Sequence, residues 1–308
     1  MTRQKLIQHQ YPSVQSRLIE KGIALFKPHL TAVEERAYLE ERKCIQKQDQ
    51  YQLSSFLQET YEIEHTSYAD MPIYTLYNKT VAAKQHILYL HGGAYVKDPN
   101  PFHWRFLHQL IEDQPLSVTL PIYPKAPLYT YINTYTKVLL LYRHMCSKVG
   151  AENIILMGDS AGGGLALGFA QYLKEKQLAQ PKQIIVISPW IDLTLSNPEI
   201  ADYEALDPIL SVYALKTDAK SYAGDTDLTH YMLSPIYGNF EGLAPLTLFV
   251  GTHEIFLPDM RKLKMKLEDL NLPFNYFEYS HMNHIFATFP IPEAKQAILQ
   301  ILEIINVK

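Results

Sequence analysis

The sequence has only two cysteines, Cys44 and Cys146, in 308 residues. Two cysteines this far apart support neither a disulfide framework nor a cysteine-rich metal site. Chains without disulfides are typical of reducing compartments, so we expect a cytoplasmic location. The first twenty residues interrupt their apolar positions with charged ones and do not resemble a secretory signal.

The sequence also lacks long apolar runs and any large excess of one charge. No run approaches the roughly 18 apolar residues that cross a bilayer, so no membrane span is expected. The formal net charge is only −4. The lysines between 262 and 266 alternate with apolar residues, which indicates a solvated helix face. We therefore expect no nucleic-acid partner.

Residues 11–61 have the apolar spacing of two or three helices. The apolar positions expected on buried stripes include Leu18, Leu25 and Leu53. Residues 61–77 alternate polar with apolar or aromatic side chains around a turn at 69–72, which predicts a β-hairpin.

From His86 onwards, short apolar runs alternate with longer helical stretches for more than 200 residues. Continuous apolar runs are typical of strands covered on both faces. The predicted strands are Ile87–Leu90, Ser117–Ile122, Asn153–Met157, Gln183–Ser188, Thr247–Gly251 and Phe274–Tyr279. The predicted helices lie near 101–113, 130–148, 161–177, 258–270 and 292–305. This alternation predicts an α/β fold with a mostly parallel, doubly wound sheet.

One segment, about 195–233, is too long for an ordinary crossover connection and is interpreted as an insertion. Together with N-terminal helices in residues 1–60, it is expected to form a helical cap over the carboxyl ends of the strands. Residues 61–308 then form the catalytic domain that carries the insertion. Residues of the insertion expected to contribute to an acyl pocket include Tyr203, Leu206, Ile209, Leu210, Tyr213 and Tyr222.

The segment Gly158–Gly163, with sequence GDSAGG, has the G-x-S-x-G pattern of a nucleophile elbow. It follows a predicted strand and precedes a predicted helix, which is the context that the motif requires. Ser160 would then be exposed at the positive end of the helix as a nucleophile. A glycine-rich turn with an incidental serine is the alternative, whereas neither phosphate-binding glycine pattern is present.

The segment His91–Tyr95 comes at the end of an earlier predicted strand. Unhindered glycine backbones can place N–H groups close to the oxyanion that forms during acyl transfer. We assign Gly92 and Gly93 to an oxyanion hole, with the N–H of Ala161 as the third donor. His91 is interpreted as a brace for this loop.

A serine nucleophile needs a histidine base, and two candidates, His281 and His284, follow the last predicted strand. The acid is expected between the serine and the histidine in chain order, which leaves Glu254 and Asp259 as alternatives. Glu254 lies closer to the end of its predicted strand. The companions of a zinc motif are missing, so no metal is expected.

These motifs together resemble the hormone-sensitive-lipase family of α/β-hydrolases, across roughly residues 85 to 290. The segments that carry the resemblance are His91–Ala94, Tyr123–Pro127, Gly158–Gly163, Ser188–Thr194 and Ser234–Pro235. The resemblance implies the α/β-hydrolase fold with a helical cap, no cofactor, and His284 rather than His281 as the base. It also makes a homodimer an expectation. The chain departs from the family at Ala94, where a glycine is usual, and at Glu254, where aspartate is usual.

The sequence thus predicts a serine carboxylesterase that hydrolyses small-molecule esters of short to medium acyl chains. Its triad would be Ser160, Glu254 and His284, acting through an acyl-enzyme. An amidase or formamidase that uses the same site is one alternative. A non-catalytic protein that binds small molecules on this fold is another.

Overall fold

A single mixed sheet forms the centre of the protein. The computed structural model describes residues 3–7, 11–27, 30–48 and 51–306. In this part of the chain the strands are β1 (Arg3–Ile7), β2 (Glu64–Tyr68), β3 (Met71–Tyr77), β4 (Gln85–Leu90), β5 (Leu116–Pro121), β6 (Ile154–Asp159), β7 (Gln183–Ile187), β8 (Leu246–His253) and β9 (Phe274–Asn283). Their order in the sheet is β1-β9-β8-β7-β6-β4-β5-β3-β2.

The sheet is parallel from β1 to β5, and the hairpin of β2 and β3 adds two antiparallel strands at one edge. Ala69 and Asp70 join the hairpin strands, and both have positive φ, 50° and 59°. Positive φ at both central residues is the geometry that joins two twisted strands most tightly. The predicted hairpin and its turn are therefore confirmed.

The helices of the described residues follow the strands in the predicted alternation. They are α1 (Val14–Ala24), α2 (Glu35–Gln48), α3 (Ser55–Tyr61), α4 (Pro101–Ile111), α5 (Tyr131–Val149), α6 (Ser160–Glu175), α7 (Ile200–Glu204), α8 (Val212–Ala223), α9 (Leu257–Asp269) and α10 (Pro292–Asn306). None of them is both long enough and apolar enough to cross a membrane.

Two hydrophobic cores, one on each face of the sheet, hold these layers together. Along β6, Ile154 and Leu156 belong to one core, and Ile155 and Met157 belong to the other. Successive strand side chains point to opposite faces, so a strand that is apolar at every position can serve both cores. This burial on both faces explains why the central strands read as continuous apolar runs.

The central strands and helices match the predicted α/β fold, but the N-terminal segment differs from the prediction in two ways. Strand β1 was not predicted; it pairs in parallel with β9. Leu18 and Leu25, expected on buried stripes, are 65% and 84% exposed, whereas Leu53 is buried as expected. Helical spacing identifies an apolar face, but it does not show whether another element covers that face.

Candidate active site

Ser160 stands at the junction between β6 and α6, where the backbone takes a left-handed conformation with φ of 51°. Residues other than glycine rarely adopt this backbone conformation. It occurs at functional turns that the surrounding structure holds in place. The turn is possible because Gly162 packs against the neighbouring strand: a Cβ there would lie 2.0 Å from the Leu90 carbonyl oxygen. A Cβ on Gly158 would similarly lie 2.5 Å from the carbonyl oxygen of Gly162. The glycines of the motif thus allow the close packing that the sharp turn at Ser160 requires.

His284 follows β9 and brings its ring to the serine. Its Nε2 lies 2.9 Å from the Ser160 hydroxyl oxygen, although the two residues are 124 positions apart in the chain. The next residue, Ile285, has φ of 52° and donates its N–H to the Ser188 hydroxyl at 3.0 Å. This bond fixes the loop that carries the imidazole.

Glu254 follows β8 and completes a line of hydrogen bonds that runs from Ser160 through His284. One carboxylate oxygen lies 2.8 Å from Nδ1 of His284. The other accepts the Ser188 hydroxyl at 2.8 Å and the Gly251 N–H at 2.6 Å. Since an ionised carboxylate can only accept, Nδ1 of the neutral ring donates and Nε2 is left to accept the Ser160 hydroxyl proton. The hydrogen bonds therefore select the tautomer that a base for Ser160 needs.

The electrostatics of His284 follow from its burial beside Glu254. Burial alone lowers the pKa of the imidazole, because a charged ring loses its hydration. The hydrogen bond and the charge of Glu254, with smaller contributions from Asp207 and Asp159, outweigh burial and raise the pKa of His284 above its ordinary value. The site stabilises the imidazolium that forms when the serine gives up its proton.

The structure separates the two pairs of alternatives that the sequence left open. His281 makes different contacts: its N–H donates to the Thr252 hydroxyl, and its ring contacts His253 at a centroid distance of 5.3 Å. Asp259 lies in the first turn of α9 and accepts the side-chain amide of Asn197 at 2.9 Å. Glu254 and His284 are therefore the members of each pair that the fold brings to the serine.

The loop after β4 shows which backbone N–H groups are free to bind an oxyanion. Gly93 and Ala94 line the same cavity as Ser160. Within the described residues, their N–H groups and that of Ala161 have no acceptor. The Gly92 N–H instead donates to the Asp159 carboxylate at 2.9 Å. The assignment of Gly92 to the oxyanion hole is thus wrong for this geometry, because its backbone N–H already donates to Asp159. The N–H of Ala94, the residue after Gly93, is free instead.

Asp159 is a residue of the site that the sequence analysis missed. Its carboxylate is buried and accepts the Tyr89 hydroxyl at 2.7 Å, the Gly92 N–H, and Nε2 of His103 at 3.2 Å. Burial tends to raise the pKa of Asp159, but His103, the Tyr89 hydroxyl and the Gly92 N–H outweigh it and lower the pKa. The signal in the sequence that could have identified Asp159 was its position directly before Ser160.

His91 holds the same loop from its other side, as the sequence analysis interpreted it. The ring stacks on Tyr123 at a centroid distance of 4.4 Å, and Nδ1 lies 2.7 Å from the Gly92 carbonyl oxygen. Since a carbonyl only accepts, Nδ1 carries the proton. Burial holds the pKa of His91 well below its ordinary value, so this ring is neutral.

Ser160 and His284 lie at one side of a cavity of about 610 Å³. Two distant parts of the chain contribute to its wall: the N-terminal segment 30–41, with α2, and the segment 209–218, with α8. Of the insertion residues expected at the pocket, Ile209 and Leu210 line it. Tyr222 is buried instead against Tyr95, with ring centroids 3.9 Å apart.

Asp207 is a second residue that the sequence analysis missed. One of its oxygens accepts the N–H groups of Ile209 and Leu210 at 2.8 and 2.9 Å, and the other accepts the Ile255 N–H at 3.0 Å. It therefore ties the turn that enters the cavity to the residue directly after Glu254. In the sequence it was indistinguishable from an ordinary loop aspartate.

The sheet, the sharp turn before α6 and the serine–histidine–glutamate line at the carboxyl ends of the strands are the architecture of a hydrolase. The chain belongs to the family described as alpha/beta hydrolase fold, which matches residues 87–288. The protein is accordingly an enzyme of the hydrolase class.

Proteins similar to this chain include an esterase and an acetyl-hydrolase. The chain is 30% identical over 226 residues to an esterase from Acinetobacter venetianus, an alignment that covers 72% of this chain and 75% of the relative. It is 29% identical to an acetyl-hydrolase from Streptomyces hygroscopicus over 69% of this chain and 72% of that protein.

Solved structures agree with this placement over most of the chain. A candidate esterase from Staphylococcus aureus superposes with a TM-score of 0.86 at 32% identity, covering 91% of this chain and 94% of that one. An esterase of the bacterial hormone-sensitive lipase family superposes with a TM-score of 0.80 at 25% identity, covering 96% and 98%. The resemblance to the hormone-sensitive-lipase family is confirmed.

Proposed function

We propose that the protein is a serine carboxylesterase that hydrolyses small-molecule esters of short to medium acyl chains. The observation that carries the proposal is the hydrogen-bonded line from Ser160 through His284 to Glu254, with distances of 2.9 and 2.8 Å. The line opens on a cavity that is large enough for a small ester. The esterase and acetyl-hydrolase names of the relatives support the same substrate class.

In the first half of the reaction, the Ser160 oxygen attacks the ester carbonyl carbon while Nε2 of His284 takes the serine proton. The carbonyl oxygen becomes an oxyanion, which the N–H groups of Gly93, Ala94 and Ala161 bind. His284 then gives its proton to the alcohol oxygen as the carbon–oxygen bond breaks, and the acyl group stays on Ser160. In the second half, a water molecule attacks the acyl-enzyme by the same route, which releases the acid and restores the serine.

The cap belongs to this proposal. We assign the N-terminal helices in residues 1–60 and the insertion at about 195–233 to a cap over a catalytic domain of residues 61–308, to whose sheet β1 also belongs. Direct contacts between the two parts support it: the Tyr213 hydroxyl donates to the Glu35 carboxylate at 3.0 Å. The Lys27 ammonium donates to the carbonyl oxygens of Glu204 and Asp207, each at 2.7 Å. Such a cap would limit the length of the acyl chain that enters.

The expected location is part of the same proposal. Cys44 and Cys146 are both free thiols, which suits the reducing cytoplasm. Cell fractionation with an antibody against the protein tests this location. Light scattering of the purified protein tests the expected homodimer, which would have twice the mass of the 35.5 kDa chain.

Hydrolysis of p-nitrophenyl esters of increasing chain length tests the proposed activity. We expect turnover of the short and medium esters, a covalent adduct of a fluorophosphonate on Ser160, and neither result in Ser160→Ala. The expected loss in that variant is about 10⁴-fold or more, since no neighbour can replace the hydroxyl. Failure of the folded wild-type protein to react with both probes would refute the proposal. Matched amides distinguish an esterase from an amidase.

A further inference from the structure

Asp218 is a buried carboxyl group in the wall of the cavity and has no role in the triad. Asp218 lies on α8 and lines the cavity that holds Ser160. It is only 3% exposed, and its Oδ1 has no hydrogen-bond partner in the described part of the chain. Its other oxygen accepts the Tyr38 hydroxyl across a long 3.4 Å. Asp218 is thus buried at the cavity wall with half of its accepting capacity unused.

An arrangement of this kind is unfavourable for the free protein. Buried polar groups nearly always have partners, and an unpaired one loses its hydration without compensation. Burial raises the pKa of Asp218 to about 7, although Tyr38, Lys97 and Arg42 all act in the opposite direction. A leucine or phenylalanine at this position would avoid the penalty. The carboxyl group therefore points to a ligand that supplies the missing hydrogen bond.

The other charges of the cavity indicate the sign of that ligand. Apolar residues form much of the wall near Asp218, namely Leu30, Ala37, Ile209, Leu210, Ala214 and Leu215. Carboxyl groups from Glu34, Glu41, Asp98 and Asp159 also line the cavity, whereas Lys97 is its only lysine or arginine in the described residues. Arg42 pairs with Glu41 at 3.3 Å and Lys125 pairs with Asp98 at 2.8 Å, but the acids still outnumber these three cations. A cleft with this excess of acids favours a cation and disfavours an anion.

We propose that Asp218 binds a cationic ammonium group carried by the ester, so that the preferred substrates are esters of amino alcohols or of amino acids. This inference rests on the proposed esterase function. The ammonium N–H donates to Oδ1 of Asp218, while the apolar wall packs around its alkyl substituents. Charged hydrogen bonds in a desolvated setting contribute more than neutral ones, so a neutral ester of the same shape binds less well.

Pairs of esters that differ only by a charged nitrogen test the proposal. In the alcohol, dimethylaminoethyl butyrate is compared with isopentyl butyrate. In the acyl chain, methyl dimethylaminobutyrate is compared with methyl isoheptanoate. Each cation has the shape of its neutral partner and is protonated at neutral pH. We measure kcat/KM for all four in the wild type, in Asp218→Asn and in Asp225→Asn, which removes an exposed carboxylate outside the cavity.

We expect a preference of at least about tenfold for the cation in one of the two pairs, which is the range for a charged hydrogen bond. Asp218→Asn should reduce that ratio to near one, and Asp225→Asn should leave it unchanged. A wild-type ratio near one in both pairs overturns the proposal, as does a ratio that survives in folded Asp218→Asn. If the wild type hydrolyses none of the esters, the esterase function itself fails; hydrolysis of the neutral esters without a cation preference removes only the role of Asp218.

Discussion

The carboxylate of Asp159 accepts the N–H of Gly92 at 2.9 Å, across 67 positions of sequence. Asp159 ends β6 directly before Ser160, so one residue joins the nucleophile turn to the loop that carries Gly93 and Ala94. The distance between Ser160 and the proposed oxyanion donors is therefore set by this hydrogen bond as well as by the sheet. A buried, fully partnered carboxylate is well suited to such a fixed position.

Asp159→Asn should loosen this connection. His103 accepts the Asn100 N–H on Nδ1, so its Nε2 must donate to Asp159. An asparagine that keeps its oxygen toward Gly92 would aim its NH₂ group at that donor and leave both unpaired. We expect kcat for p-nitrophenyl butyrate to fall by about 10- to 100-fold, with a smaller change in KM, since donor placement matters most in the transition state. Unchanged kcat in the folded variant would show that the loop holds its position without Asp159.

The sequence predicted the elbow well because its requirements are local. A strand, a serine with small neighbours and a helix lie next to one another in the chain. The close approach of the Leu90 backbone explains why residue 162 is a glycine. The error at Gly92 has the opposite origin. Whether an N–H is free depends on which distant acceptor folding brings to it, and Asp159 could not be placed there from local pattern.

The acid shows the same division between local pattern and tertiary contact. The sequence pattern placed Glu254 just after the end of β8 and Asp259 in the first turn of the next helix, which favoured Glu254 and kept Asp259 as the alternative. The two acids differ in role because residues far away in sequence contact them. Ser188 and His284 bind Glu254, whereas Asn197 binds Asp259. The length of the segment at about 195–233 likewise indicated an insertion over the sheet. It could not show that Ile209 lines the cavity and that Tyr222 does not.

The raised pKa of His284 predicts an acid limb in the pH profile. The reaction needs neutral imidazole, so kcat/KM should fall as the pH drops through a midpoint above the ordinary histidine value of roughly 6.5. Glu254→Gln removes the main group that raises the pKa of His284, so it should move the midpoint down. It should also reduce kcat by about 10²–10⁴-fold. Rates across the pH range give both quantities, and an unmoved midpoint would argue against Glu254 as the partner.

Asp259 should affect stability rather than catalysis. Burial raises the pKa of its carboxyl to about 6, and one oxygen has no partner among the described residues. A folded-state pKa above the unfolded value of roughly 3.9 means that protonation stabilises the fold, and this contribution is lost as the pH rises through about 4 to 6.

Asp259→Asn should keep the bond from Asn197 and remove the buried charge. We expect the free energy of unfolding at neutral pH to rise by about 1–3 kcal/mol, with a smaller gain below the window from about pH 4 to 6. Urea unfolding at both pH values measures the change, and kcat should stay close to the wild-type value. A large loss of kcat with Asp259→Asn, together with normal turnover by Glu254→Gln, would require the triad to be redrawn with Asp259.

The segment 209–215 offers a test of the cap as the determinant of chain length. Leu210 lines the cavity that holds Ser160, whereas Leu206, four residues earlier, is 48% exposed and does not line it. Leu210→Ala removes three carbons from the wall and should admit a longer acyl chain, so kcat/KM for the octanoate relative to the butyrate should rise by about tenfold. This is the scale expected when a few methylene contacts in an apolar pocket change. Leu206→Ala makes the same truncation outside the cavity and should leave the ratio unchanged. If both variants keep the wild-type profile, chain length is selected by the sheet side of the site, and the insertion has no part in it.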